Sequence, residues 1–389
     1  MRKLVSLLLA GLILLFPLYG TIAFAEEDGE SSSQVEPFDY EKEIDNYLEN
    51  GAVGELTDNI PNQAQEFLSN GGGMSELVKS FTPKEFFPKV LMTIRRTLAA
   101  PLRLLVSLVG VIILCAVLGS FNTSLGQSSL VPIFNVIICV FVSSIIIDPV
   151  VLCITEASNT IREFSIFILS FIPVFAGVVT ASGQPMTGAA YNLFVFWMCQ
   201  ITSQLITNTF VPLLCAYLAL SIISVVCPEM HLADAVSGIK TFVTWSLTLI
   251  LTVFVGLLTI QSVVASGGDS IAVKTTKFFI GSLIPVVGGA LSDLFMAAQG
   301  CIKLVKGTVG AFGIIITALT FLPVLLQTVV WYITVNIGGL IGNLFGVGQI
   351  TKLLKAISST LGILIAVLLY YSLLIIISTT IIIVAFQGG

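Results

Sequence analysis

The sequence predicts an all-α, polytopic helical membrane protein with eight to ten membrane segments, some broken or re-entrant, and an internal repeat at an offset of about 112 residues. Three observations lead there. Hydrophobic residues make up 56% of the chain and charged residues only 10%, with a mean hydropathy of +1.03, whereas soluble domains carry about 25% charged residues. Apolar runs long enough to cross a bilayer core, about 20 residues each, recur along most of the chain. The third is a near-repeat: Phe-Ile-Leu-Ser-Phe-Ile-Pro-Val-Phe-Ala-Gly at 167–177 returns as Phe-Ile-Gly-Ser-Leu-Ile-Pro-Val-Val-Gly-Gly at 279–289, with seven of eleven positions identical. The register continues, since Thr209-Phe210-Val211-Pro212 recurs as Thr320-Phe321-Leu322-Pro323 and Ser158 and Arg162 fall opposite Ser270 and Lys274. Pro-interrupted apolar segments at matching places in two halves are the pattern of transporter and channel pathways.

Residues 1–25 read as an export signal. Arg2 and Lys3 precede an apolar run from Leu4 to Leu18, and Ala23-Phe24-Ala25 then offers a cleavage site. An uncleaved anchor is the alternative, and both place the following residues outside the cytoplasm. Residues 26–98 form an acidic extracytoplasmic segment: between 26 and 79 stand 14 Asp and Glu against two Lys. Without a basic stripe, nucleic acid is not expected as a partner. Residues 26–36 have almost nothing to bury and are expected to be disordered. Short amphipathic helices are expected over 38–56 and 62–81, split by Pro61 and by Gly71-Gly72-Gly73. Thr82-Pro83-Lys84-Glu85 starts a further helix, with Thr82 as N-cap and Pro at the first position. That helix would lie on the membrane surface, with Lys89, Arg95 and Arg96 toward lipid headgroups.

Residues 99–389 form the polytopic domain, containing two related units at about 158–227 and 270–338. Its expected spans are 102–121, 130–152, 164–181, 189–208, 210–227, 242–265, 308–334 and 360–386. Segments 278–300 and 335–348 are apolar but Gly-rich, so each is a candidate broken or re-entrant helix. Orientation carries a conflict: Arg95, Arg96 and Arg103 fall on the outer side if the export signal is obeyed, against the positive-inside rule. Headgroup binding by an interfacial helix accounts for them.

The chemistry-bearing residues are few. His231 is the single histidine and reads as a solvated loop residue. No P-loop, H-E-x-x-H or G-x-S-x-G motif is present, and Asp269 in a Ser/Gly-rich connector has no second carboxylate beside it. A non-enzyme with no cofactor is expected. The seven cysteines lack metal-ligand spacing and read as small buried hydrophobes, so no metal is expected. Charges within apolar runs carry more weight, because each costs at least about 2.5 kcal/mol at bilayer depth. Asp148, near the end of the 130–152 run, suits an interfacial helix end or a buried pathway position. Lys274, Lys277 and Asp293 would mark the mouth of a segment dipping into the membrane, or a solvated loop. Pro173 with Gly177, and Pro285 with Gly288 and Gly289, suit kinked helices packed closely on a partner. The glycine-dense stretch 338–348 points to tight helix packing or subunit contact in the same way.

Ile260-Gln261, Asp269-Ser270-Ile271, Lys274-Thr275-Thr276-Lys277-Phe278, Ile284-Pro285-Val286, Asp293 and Lys306-Gly307-Thr308-Val309-Gly310-Ala311-Phe312-Gly313 together resemble the stage III sporulation protein AE family of endospore-forming bacteria. The resemblance covers most of the chain in layout and is most specific over residues 260–313. The family pattern has Gly where Ser262 stands, and the Ser-Gly-Gly stretch at 266–268 also departs from it. The resemblance implies a multi-pass protein of the bacterial cell membrane, in the mother-cell membrane surrounding the forespore. It implies membership of the channel or secretion-like complex needed for forespore development, with other membrane subunits of that complex, and lipid, as partners. A homo-oligomer stays open. No catalytic residue carries over. Two further readings stand beside this one: a self-sufficient secondary transporter alternating around a midplane site, and a structural scaffold anchoring partners through residues 26–98.

Overall fold

The computed structural model describes residues 56, 59–65, 83–124, 131–283 and 288–384. The export signal, the N-cap at Thr82 and most of the expected amphipathic helices lie outside the described residues. Residues from Tyr47 onward belong to one compact unit.

Among the described residues there are helices and no strand. In chain order they are α1 (Asn62–Gln65), α2 (Pro83–Thr97), α3 (Ala99–Ser124), α4 (Val131–Ala181), α5 (Pro185–Leu205), α6 (Val211–Val226), α7 (Ala233–Leu283), α8 (Gly288–Leu344) and α9 (Gly348–Val384). A π turn at Ile206–Phe210 joins α5 to α6, and a 3-10 turn at Pro228–Met230 precedes α7. Pro83 and Pro185 open their helices, where a missing N–H costs nothing.

The expected spans are helical where they are described, and two of them are fused. From Val131, runs 130–152 and 164–181 form one helix of 51 residues, α4, and the stretch between them is helical too. The reason is that an apolar surrounding leaves each backbone polar group dependent on its own helix. Pro149 and Pro173 both lie inside α4, which continues through them. Segment 335–348 is not re-entrant: it continues α8 to Leu344. Six helices, among the described residues, are long and apolar enough to cross a membrane: Val90–Leu118, Val136–Ala181, Pro185–Val226, Ala233–Thr276, Ile302–Leu344 and Gly348–Val384.

The centre of the bundle is the antiparallel pair α8 and α9. Gly310 lies against Ile383 near one end of the pair, Gly362 against Tyr332 in the middle, and Gly338, Gly339 and Gly342 against Leu354 and Thr351 near the other. The glycine-dense stretch is thus a close helix–helix contact, as its composition predicts. Two thirds of the most apolar window of each of these helices is buried, against 22% for α7. On α4, Phe164, Phe167, Phe171 and Phe175 are fully buried. Phe171 and Phe175, four residues apart, stack at 5.5 Å, while Phe164 meets Phe321 of α8 edge-on at 5.0 Å. Gly313 of α8 lies under the Phe171 ring, and a Cβ there would collide with it.

The two sequence-related units differ in helix boundaries where both are described. The first contains the turn at 182–184 and the π turn, whereas the positions 111 to 112 residues later fall inside α8. His231 is exposed with a positive φ of 49°, its Nδ1 2.7 Å from the Glu229 carbonyl. The cysteines divide. Cys115, Cys139, Cys153 and Cys199 are buried, as expected of small hydrophobes, but Cys215 and Cys227 are exposed.

Candidate functional site

The polar groups of this bundle converge where α4 turns into α5. Residues 182–184 make that turn, and α5 begins at Pro185 with its first backbone N–H groups lacking helical acceptors. Gln184 stands at the N-cap but makes no side-chain cap. The acceptor comes from another helix. The Asp269 carboxylate, on α7, accepts from the backbone N–H of Met186 at 2.8 Å and of Thr187 at 2.9 Å, and from the Thr187 hydroxyl at 2.6 Å. A carboxylate at that position also meets the positive end of the helix dipole. Asp269 is 1% exposed.

Gln184 completes the site from the other side. Its Oε1 accepts from the Lys306 ammonium, on α8, at 3.0 Å, and Lys306 is 4% exposed. The charges of Lys306 and Asp269 attract each other. Three helices and one turn are therefore tied by a buried acid, a buried base and an amide. Two turns back along α7, Gln261 donates to the Ala190 carbonyl of α5 at 3.0 Å. A narrow crevice lined by Thr187, Tyr191, Gln261, Ser262 and Ile382 lies between these helices. No group of three or more His, Cys, Asp or Glu able to hold a metal comes together among the described residues.

A second set of polar contacts lies halfway along α4. Glu156 accepts a hydrogen bond from Gln327 of α8. Thr160 accepts from Gln63 at 3.3 Å, Glu163 from Asn62 at 3.4 Å and Ser170 from Asn59 at 3.4 Å. Residues 156, 160 and 163 are spaced to share one helix face. This face carries two carboxylates within an apolar helix, and each meets a side-chain amide.

The model of the family described as stage III sporulation protein AE matches residues 68–386, which takes in the whole bundle from α2 to α9. The chain belongs to the stage III sporulation protein AE family. The stage III sporulation protein AE of Bacillus subtilis (strain 168) is 25% identical over 274 residues, 69% of either chain. No solved structure matches. This stage III sporulation AE family member is thus a membrane protein of a sporulation family, and Asp269 and Lys306 both fall within its matched region.

The residues that the sequence singled out are not the ones joined at this family member's polar centre. Asp148 is exposed and inside α4, so no helix ends there. Pro173 and Gly177 are exposed on α4, and a Cβ on Gly177 would meet nothing within 4 Å among the described residues. Lys274 is exposed on α7. Lys277 lies on α7, and Gly288, Gly289 and Asp293 on the first turns of α8, with surroundings outside the described residues, as is Pro285 altogether. Gln184 was missed altogether, and Asp269 was set aside as a residue of a connector. Ser266-Gly267-Gly268 reads as a connector in sequence, yet it is helical and continues α7 to Leu283. The signal that could have found the site was the resemblance itself, which singled out both Asp269 and Lys306 without joining them.

Proposed function

We propose that this protein is a membrane core subunit of the channel or secretion-like complex that joins mother cell and forespore during sporulation. It sits in the membrane around the forespore, with residues 26–98 extracytoplasmic and the long helices forming part of the membrane core. The observation that carries this reading is the family match running unbroken through the apolar bundle, residues 68–386. The buried Asp269–Thr187 and Lys306–Gln184 ties fit a subunit whose helices are held in fixed relation, because a charge inside an apolar bundle persists where it is paired.

The permease reading is less well supported. Transporters with broken helices leave a helix N-terminus open toward an anionic substrate group. Here the N-terminus of α5 is occupied by the chain's own Asp269. The test is purification of the full chain from sporulating cells through an affinity tag. Other membrane proteins of the sporulation complex are expected to accompany it, and reconstituted vesicles are expected to conduct only when those partners are present. Solute flux by the chain alone would transfer the assignment to the transporter reading.

A further inference from the structure

The polar face at the middle of α4 is covered by a part of the chain from far upstream. Leu56 and Ala64 are fully buried, Ile60 is nearly so, and the Pro61 carbonyl accepts from the N–H groups of Ala64 and Gln65 to close the single turn of α1. From this seat Asn59, Asn62 and Gln63 reach Ser170, Glu163 and Thr160 in turn. The segment also packs on α8, beside the helix pair joined by Glu156 and Gln327. Thr160 beneath it is 0% exposed.

Its attachment is of a separable kind. A four-residue helix has no stability of its own. Among the described residues, the contacts of Asn59, Asn62 and Gln63 with α4 run from 3.3 to 3.4 Å, long for hydrogen bonds, and each is an uncharged amide facing a hydroxyl or a carboxylate. The ties at Asp269 are shorter, and two of the three come from backbone. The face below is in contrast a permanent part of a 51-residue helix.

We propose that residues 59–65, with Leu56, are a releasable strap that closes over the polar face of α4 formed by Glu156, Thr160 and Glu163, and that this face is uncovered when the strap lifts. The inference goes beyond the channel assignment and does not need it. The test uses the full chain in its native membrane, with its own cysteines replaced and sporulation of that parent verified. A Thr160→Cys variant is treated with a small membrane-permeant maleimide, with Glu229→Cys in the exposed loop as the reference. Slow but measurable labelling is expected, rising at least several-fold when Asn62→Ala and Gln63→Ala are added. Complete protection in both backgrounds, or equal rates in both, overturns the proposal. A Gln63→Cys/Thr160→Cys pair gives the second readout: bridging of the two thiols by a short bifunctional thiol reagent is expected to lower spore yield, relative to either single variant, at unchanged protein level. A cross-linked form that sporulates like the unbridged one makes the segment a fixed anchor and sinks the idea. Failure of the channel assignment would show instead in partner capture, with labelling at position 160 unaffected.

Discussion

Asp269 and Thr187 are 82 positions apart in sequence, yet the Asp269 carboxylate takes both the backbone N–H and the hydroxyl of Thr187. A helix N-terminus that local sequence leaves uncapped is capped from a neighbouring helix. In this way the order of α4, α5 and α7 around the 182–184 turn is specified by hydrogen bonds, which apolar packing alone would leave open to slippage.

The first prediction concerns that cap. Asp269→Ala leaves the first N–H groups of α5 and the Thr187 hydroxyl without their acceptor, and each unsatisfied buried polar group costs about 1 to 3 kcal/mol. Thermal unfolding in mild detergent is expected to shift markedly downward. Adding Lys306→Met is expected to give less than the sum of the two single losses, since the two charges attract each other. Additive losses in the double variant would mean the two residues act separately.

The second concerns close packing. Gly313→Ala puts a methyl into the Phe171 ring, and overpacking of this kind costs about 1 to 3 kcal/mol. Phe171→Leu, which shortens the opposing side chain, is expected to relieve the Gly313→Ala variant more than it harms the parent. Gly177→Ala is expected to be near neutral, because nothing among the described residues lies within 4 Å of its added Cβ.

The third concerns the α4–α8 amide contact. Gln327→Leu removes the donor to the Glu156 carboxylate and is expected to destabilise by about 1 to 3 kcal/mol, the cost of an unsatisfied polar group. Adding Glu156→Leu is expected to return much of it. Chemical denaturation of the detergent-solubilised protein reads both.

The fourth is a test of sidedness. Lys240, two turns into α7, donates to Ser359, three turns into α9, at 3.0 Å. The loop before α7 and the turn before α9 therefore lie at the same end of the bundle. In a cysteine-free background, Glu229→Cys and Phe345→Cys are expected to react with an impermeant thiol reagent from the same side of the membrane. Opposite sidedness would contradict the parallel course of α7 and α9 that the Lys240–Ser359 contact sets.

How much of this was legible in advance follows from the range of the forces involved. Burial of apolar side chains has a strong local signature, so the all-helical membrane class, the runs that become α4 to α9 and the close-packed glycines at 338 to 342 could be read along the chain. Turn chemistry proved a weaker guide. Ser266-Gly267-Gly268 looks like a connector and residues 153–163 fall between two expected spans, but both stay helical, since a helix surrounded by apolar neighbours has no water to replace its backbone hydrogen bonds.

By itself the sequence determined the solvent this chain is built for, its helical class and its family, because hydropathy and motif are properties of neighbouring residues. Only the tertiary structure decided which polar residues meet. Asp269, Gln184 and Lys306 come from three separate stretches, as do Gln63 and Thr160, and their pairing depends on helix register and on which faces turn inward. A hydrogen bond acts over about 3 Å, so no regularity along the chain announces a partner that folding brings from 80 to 120 residues away.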